Sequence, residues 1–220
     1  MKNMKIGIIG ATGKSGLALT KEALKQGYRV VAITRNPSQM PNLDNNSRLT
    51  IRKADVTSKS SIKDVVNDID VLISAYGPTI DSPQSIHEKV AIILIDIMHE
   101  CPNIKRLLVV GGAGSLLNDK EEILLETSAF PEEWKAHART QAQSLERYRG
   151  SDIDWTYFSP SLMYLPELPT SGKFKIGNNH LIVNKEGKSQ ISYGDAAGAI
   201  INEIREHRFV KKRFTAGYDN

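Results

Sequence analysis

A chain of 220 residues, 40% hydrophobic and 25% charged, carries enough apolar material for one α/β domain. No apolar run reaches the roughly 18 to 20 residues that span a bilayer; the longest, Val90 to Met98, is broken by Asp96, and Lys5 leads into a short strand instead of a secretory signal. These features exclude a membrane span and lead us to expect a cytoplasmic protein.

The net charge of +4 raises the question of nucleic acid. The basic residues are concentrated only in Arg205 to Arg213, where Phe209 and Phe214 alternate with the charges as around a final strand. A solvated edge or an anionic cofactor is therefore expected, and no nucleic-acid partner. The lone Cys101 excludes an internal disulfide and a cysteine-rich metal site. Histidines 87, 99, 137, 180 and 207 show no H-x-x-x-H or H-E-x-x-H spacing, so no metal site is expected. There is no G-x-S-x-G nucleophile elbow, which argues against a hydrolase.

In chain order, Ile6, Ile8 and Ile9 mark a first strand. A glycine turn follows, then a helix through Leu17, Leu19 and Leu24 to Gln26, ended by Gly27. Arg29 to Thr34 predicts a second strand closed by Asn36-Pro37, Leu49 to Lys53 a third, and Ser60 to Asn67 a short helix. Val71 to Ala75 predicts a fourth strand and Ser85 to Glu100 a long apolar helix. Arg106 to Val110 predicts a fifth strand ending at Gly111-Gly112, Pro131 to Arg149 a helix and Trp155 to Ser159 a sixth strand. Beyond Pro160 the pattern loosens. Pro166, Pro169 and Gly172 mark an irregular segment, Leu181 to Val183 a short strand, Asp195 to Glu206 a helix with Asp195 as its N-cap, and Arg213 to Ala216 a last strand. Strands apolar on both faces and alternating with helices imply a doubly wound parallel sheet of Rossmann type, order 3-2-1-4-5-6. Residues 1–220 then form one domain, with 160–220 as a small substrate-side cap.

The first strand runs into Gly10-Ala11-Thr12-Gly13-Lys14-Ser15-Gly16, a G-x-x-G-x-x-G spacing variant of the dinucleotide fingerprint. One glycine permits the turn, one lets backbone amides approach a pyrophosphate, and one lets the helix pack close to the sheet. The helix N-terminus adds free N–H groups and partial positive charge. Thr12, Lys14 and Ser15 belong to the same phosphate-binding loop. An NAD site places a carboxylate after the second strand; here that place reads Thr34-Arg35-Asn36. Arg35 is suited to a 2′-phosphate, with Lys14 as a second candidate. NADP(H) is thus expected as cofactor, with NAD(H) as the alternative. After the third strand Asp55 is placed to accept from the adenine amino group while Val56 packs on the ring, although a plain turn carboxylate explains Asp55 almost as well. Ala75, Tyr76 and Gly77 follow the fourth strand, beside the second ribose.

These segments, together with Val110-Gly111-Gly112-Ala113-Gly114-Ser115, Phe130-Pro131-Glu132-Glu133-Trp134, Asp154-Trp155-Thr156-Tyr157-Phe158-Ser159-Pro160 and Ile191-Ser192-Tyr193-x-Asp195, resemble the atypical short-chain dehydrogenase/reductases. Within them the chain is similar to an NAD(P)H-binding group of biliverdin reductase B-like proteins and proteins named NADH-flavin reductases. The likeness runs from Met4 to about Gly217. It implies a Rossmann fold, a nicotinamide cofactor and a flavin-like or other planar acceptor, with Gly111, Gly112, Pro160, Ser161 and Leu162 lining the nicotinamide side. The name says NADH, in conflict with Arg35; the residue argument for NADP(H) is kept.

One departure bears on mechanism. Short-chain dehydrogenases use Tyr-x-x-x-Lys, but no tyrosine in this chain has a lysine four residues later, and the expected register reads Ala138 and Ala142. Alcohol–ketone chemistry through that dyad is therefore not expected, whereas hydride transfer to a conjugated acceptor can take its proton from solvent. Tyr76, Ser115 and His137 are the candidates for an assisting side chain, against plainer roles as cofactor packing, loop cap and surface residue respectively. Two readings follow: an NADP(H)-dependent reductase of a small acceptor such as a flavin, or an NADP(H)-binding redox sensor without turnover. In either case the chain would act as a monomer or homodimer.

Overall fold

Short β-branched runs that are buried on both faces can only be satisfied inside a sheet covered by helices on each side. The computed structural model describes residues 4–43, 46–78 and 85–219 and builds that arrangement. In chain order come β1 (Lys5–Ile9), α1 (Lys14–Lys25), β2 (Arg29–Thr34), β3 (Leu49–Lys53), α2 (Lys59–Lys63), β4 (Val71–Ser74), α3 (Ile86–Glu100) and β5 (Arg106–Val110). Then follow α4 (Glu132–Arg149), β6 (Trp155–Pro160), β7 (Met163–Leu165), β8 (Lys175–Gly177), β9 (Gln190–Ser192), α5 (Tyr193–Glu206) and β10 (Lys212–Gly217). The main sheet has the order β3-β2-β1-β4-β5-β6-β10-β8. Its first six strands are parallel and in the expected sequence. β10 continues it in parallel and β8 closes it antiparallel. β7 and β9 pair separately.

The two-residue period of the strands sorts side chains between two cores. Ile6, Ile8, Phe158 and Phe214 face α1 and α5, which pack on each other. Ile9, Leu72, Leu107 and Tyr157 face α3 and α4, a second packed pair. Among the described residues no helix is long and apolar enough to cross a membrane.

At the amino end of the strands lies a buried ion pair. Arg106, at the start of β5, bonds Glu203 of α5, the two side chains being 3% and 1% exposed. Burial of this kind is tolerated only when every donor and acceptor is used. Arg106 also donates to Thr156 Oγ1 (2.6 Å) and to the Glu203 carbonyl (3.0 Å). Glu203 in turn accepts from the backbone N–H of Phe209 (2.8 Å) and Arg208 (3.2 Å).

The irregular region departs from expectation. Leu181 to Val183 forms no strand; β7, β8 and β9 supply the extended segments instead, each of three residues, too short to leave a legible period. α2 is shorter than Ser60 to Asn67, ending at Lys63. Asp195 is not the N-cap of α5. Ser192 caps it, its hydroxyl accepting from Asp195 N at 3.0 Å, because residues 193 and 194 are already helical. Asp195 instead accepts from Gly172 N (2.7 Å), Ser171 N and Oγ (both 3.0 Å) and the Tyr218 hydroxyl (2.6 Å). Burial alone would raise its pKa; the donated hydrogen bonds outweigh this and hold the carboxyl below the usual range. It thereby ties the 166–175 segment to α5.

Breaking the buried pair from one side leaves an uncompensated charge. Glu203→Ala is expected to cost about 3–5 kcal/mol in urea unfolding, and Arg106→Met combined with Glu203→Leu far less.

Candidate functional site

At the carboxyl ends of β1, β2 and β4 lies a cavity of about 230 Å³. The glycine loop contributes Gly10, Thr12 and Gly13; the segment after β2 contributes Arg35, Asn36 and Gln39; Ala54 and Val56 follow β3, and Ala75, Tyr76 and Gly77 follow β4.

The loop's form follows from its glycines. Gly10 has φ +76°, a left-handed conformation, and an added Cβ would stand 2.7 Å from the Ala75 carbonyl oxygen. Its carbonyl accepts from Gly13 N at 2.9 Å, while Gly10 N and Ala11 N both donate to Ile33 O of β2, at 3.0 and 3.3 Å. A Cβ on Gly16 would lie 2.2 Å from the Gly10 oxygen, so α1 reaches its depth only with glycine there. Gly13 is different. Its φ of −74° and ψ of 163° suit any residue, and an added Cβ would meet only Gly10 O, at 3.3 Å. The dihedral does not explain it and packing does so only in part, since the Gly10 oxygen would have to give by a few tenths of an ångström; glycine here also leaves the amides open to close approach. Gly13 is also the N-cap of α1, with no side-chain cap bond and no acidic residue in the first turn. The leading amides of α1 are left for an anion. The residues present therefore fit a dinucleotide pyrophosphate.

Thr12 Oγ1 lies 3.2 Å from Thr34 Oγ1, joining the loop to β2. Arg35 is exposed on the cavity rim, and Asp55 and Tyr76 both feel its charge. Asp55 does not line the cavity; its Oδ1 accepts from Thr57 N (2.9 Å) and Thr57 Oγ1 (2.8 Å), the turn role. The Thr57 amide is the main reason its carboxyl sits below the ordinary value, with Arg35 and Lys89 adding to it. Lys14 lines a separate open groove with Leu17, Lys21 and Tyr193, and Ser15 Oγ pairs with the Tyr164 hydroxyl at 2.9 Å.

Toward β5 and β6 the candidates are more tightly held. An added Cβ on Gly111 would lie 2.0 Å from the buried Tyr157 ring, so packing demands glycine there, whereas one on Gly112 would meet only the end of the Gln141 side chain, at 2.0 Å, which can turn aside. Arg213 donates to Ser115 Oγ (2.9 Å) and to the Ser115 carbonyl (2.6 Å). The Ser115 hydroxyl accepts there and keeps its own proton for another partner. Pro160 pairs in register with Ala216, Ser161 Oγ donates to Ala216 O at 2.9 Å, and Leu162 N donates to Ser189 Oγ at 3.2 Å. Ala138 packs against Gly114, and Ala142 joins the same apolar cluster, so α4 closes on the turn at 113–115.

His137 stands on the open side of α4, its ring centroid 4.9 Å from that of His87, which is 6.2 Å from Tyr76. His87 was not singled out from the sequence. Nothing in the sequence marks it, because Glu88 and Lys89 share its turn of α3.

A family model for NAD(P)H-binding proteins matches residues 10–207. The chain belongs to that NAD(P)H-binding family. The uncharacterized protein YwnB of Bacillus subtilis is 36% identical over 215 residues, covering 96% of this chain and 97% of that protein. A Streptococcus pneumoniae structure provisionally named an NADH-flavin reductase is 31% identical, with TM-score 0.86 over 99% of this chain and 100% of that one. A Bacteroides thetaiotaomicron structure provisionally named an epimerase is 33% identical, with TM-score 0.88 over 99% and 98%. A short-chain dehydrogenase/reductase of Veillonella parvula, in complex with NADP, shares the fold at 16% identity and TM-score 0.74, over 97% and 94%.

The contrast between glycines is testable in this NAD(P)H-binding protein. Gly13→Ala is expected to shift Tm by no more than ~2–4 °C while weakening dinucleotide binding at least ~10-fold. Gly16→Ala is expected to lose ~1–3 kcal/mol of stability, because backbone must move.

Proposed function

We propose that the chain is an NADP(H)-dependent reductase that delivers hydride to a flavin-like or other small conjugated acceptor. The observation that carries the cofactor preference is Arg35, exposed on the rim of the cavity at the end of β2, with Thr34 and Asn36 beside it and no carboxylate in its place. In this reading the amides at Gly13 and the start of α1 hold the pyrophosphate and Arg35 binds the 2′-phosphate. Val56 packs on the adenine, and residues 111–112 and 160–162 border the nicotinamide. The bound cofactor supplies a hydride; the protein's own part is to orient it, exclude water and place an acceptor against Tyr76, Ser115 and His137. His137 is the group suited to give a proton, being a histidine open to solvent. Burial pulls its pKa below the ordinary histidine value, so the rate would fall as pH rises through that lowered value. The name of the Streptococcus pneumoniae relative supports a flavin-type acceptor. The absence of Tyr-x-x-x-Lys speaks against alcohol–ketone chemistry. It is also what favours the second reading, a redox sensor that binds NADP(H) without turnover.

Stopped-flow and steady-state oxidation of NADPH and NADH, with FMN, FAD, riboflavin and biliverdin-type acceptors, separates these readings. Wild type is expected to turn over NADPH saturably, and Arg35→Ala to raise its Kd about 10- to 100-fold, the loss of a charge-assisted contact, with little effect on NADH. Tight binding without oxidation of any acceptor would favour the sensor. Failure to bind either dinucleotide would overturn both.

A further inference from the structure

His87, the second residue of α3, is buried at 9% exposure, and its Nε2 has no hydrogen-bond partner among the described residues. Buried polar atoms are nearly always paired, and an apolar ring would fill the same space without an unmade bond. The nitrogen therefore calls for a partner beyond the described residues. His87 lines a cavity of about 10 Å³ together with Tyr76, Gly111, Ser144 and Tyr157, beneath the loops that follow β4 and β5. That is near the smallest space that holds one water, and the walls set His87, Ser144 and Tyr157 among the apolar Val90, Val109 and Val110.

The hydrogen-bonding capacity around the cavity narrows the choice of partner. Ser144 Oγ donates to Gln141 O at 2.7 Å and the Tyr157 hydroxyl donates to the same carbonyl at 3.1 Å, so the proton of each is committed. The Ser144 oxygen can still accept. Burial, with a smaller contribution from His137, brings the His87 pKa down to about 4, and burial pushes Tyr157 up to about 12. Neither group changes charge across the neutral range, and His137 and Tyr76 flank the imidazole on its two sides.

We propose that His87 Nε2 and the Ser144 hydroxyl hold one ordered water in this cavity, and that the water carries a hydrogen bond from the core to the acceptor bound beside Tyr76. His87 is in this sense a positioning residue, acting on the acceptor through the water. The role in acceptor binding rests on the reductase reading; the water site does not. An atomic-resolution crystal structure of the wild-type protein without ligands is expected to show a water within hydrogen-bond distance of Nε2. His87→Phe, which keeps a ring and removes the nitrogen, is expected to lack it. In kinetics, His87→Phe is expected to raise the acceptor KM about 10-fold with unchanged NADPH affinity and a much smaller change in kcat, and His87→Gln to restore most of the loss. An Nε2 without a bound water, or a His87→Phe enzyme with wild-type acceptor KM, would overturn the proposal. Should wild type reduce no acceptor, the reductase reading falls while the crystal structure still decides the water site. Should His87→Phe fail to fold, the wild-type structure and His87→Gln decide it.

Discussion

The carbonyl of Gly10 is the point on which the ligand-binding end of the molecule depends. It accepts from Gly13 N and leaves no room for a side chain on Gly16, so one oxygen sets both the turn of the loop and the depth of α1. The amides of Gly10 and Ala11 meanwhile share Ile33 O. The loop is therefore bound to β2, the strand whose end carries Arg35. A shift of the loop would move the amides at the start of α1 and Arg35 together. The mutual spacing of these groups comes from backbone contacts, which are stiffer than side-chain contacts would be.

The two ends of the sheet are built for different purposes. At the amino end Arg106 and Glu203 are buried with their hydrogen bonds made, which fixes β5, β6 and α5 against one another at little risk of alternative pairing. At the carboxyl end, among the described residues, the polar groups left open are the amides at the start of α1, the guanidinium of Arg35 and the Nε2 of His87. Between these extremes, Arg213 pins the turn that carries Ser115, and Asp195 pins the segment over α5. Loops placed by such anchors are where specificity commonly resides.

The chemistry available follows from what α4 presents. Ala138 packs against Gly114, and no tyrosine of the chain has a lysine four residues later. Beside α4 stands the row Tyr76, His87 and His137, polar rings of which the middle one is buried and neutral. Such a wall can orient a planar acceptor and supply hydrogen bonds without a strong base, in keeping with hydride chemistry carried by a cofactor.

Periodicity and punctuation in the sequence were sufficient for the six parallel strands, their order and the glycine loop, because each depends on local rules: alternation, β-branching, turn glycines. β2, β3 and β5 occupy the expected residues to the last position. What only the tertiary structure decided are features that depend on partners distant in the chain. β7, β8 and β9 owe their extension to neighbours more than to their own three residues. Asp195 reads as a cap until Ser171, Gly172 and Tyr218 are seen around it. Asp55 bonds its own turn, Lys14 lines a second groove, Ser15 pairs with Tyr164, and Gly111 is demanded by Tyr157. His87 could not be distinguished from a surface residue in the sequence, since its burial arises only when α3 meets the loop after β4 and the face of α4. Local propensity is written in neighbouring residues, whereas burial and charge pairing belong to contacts that exist only after the chain has folded.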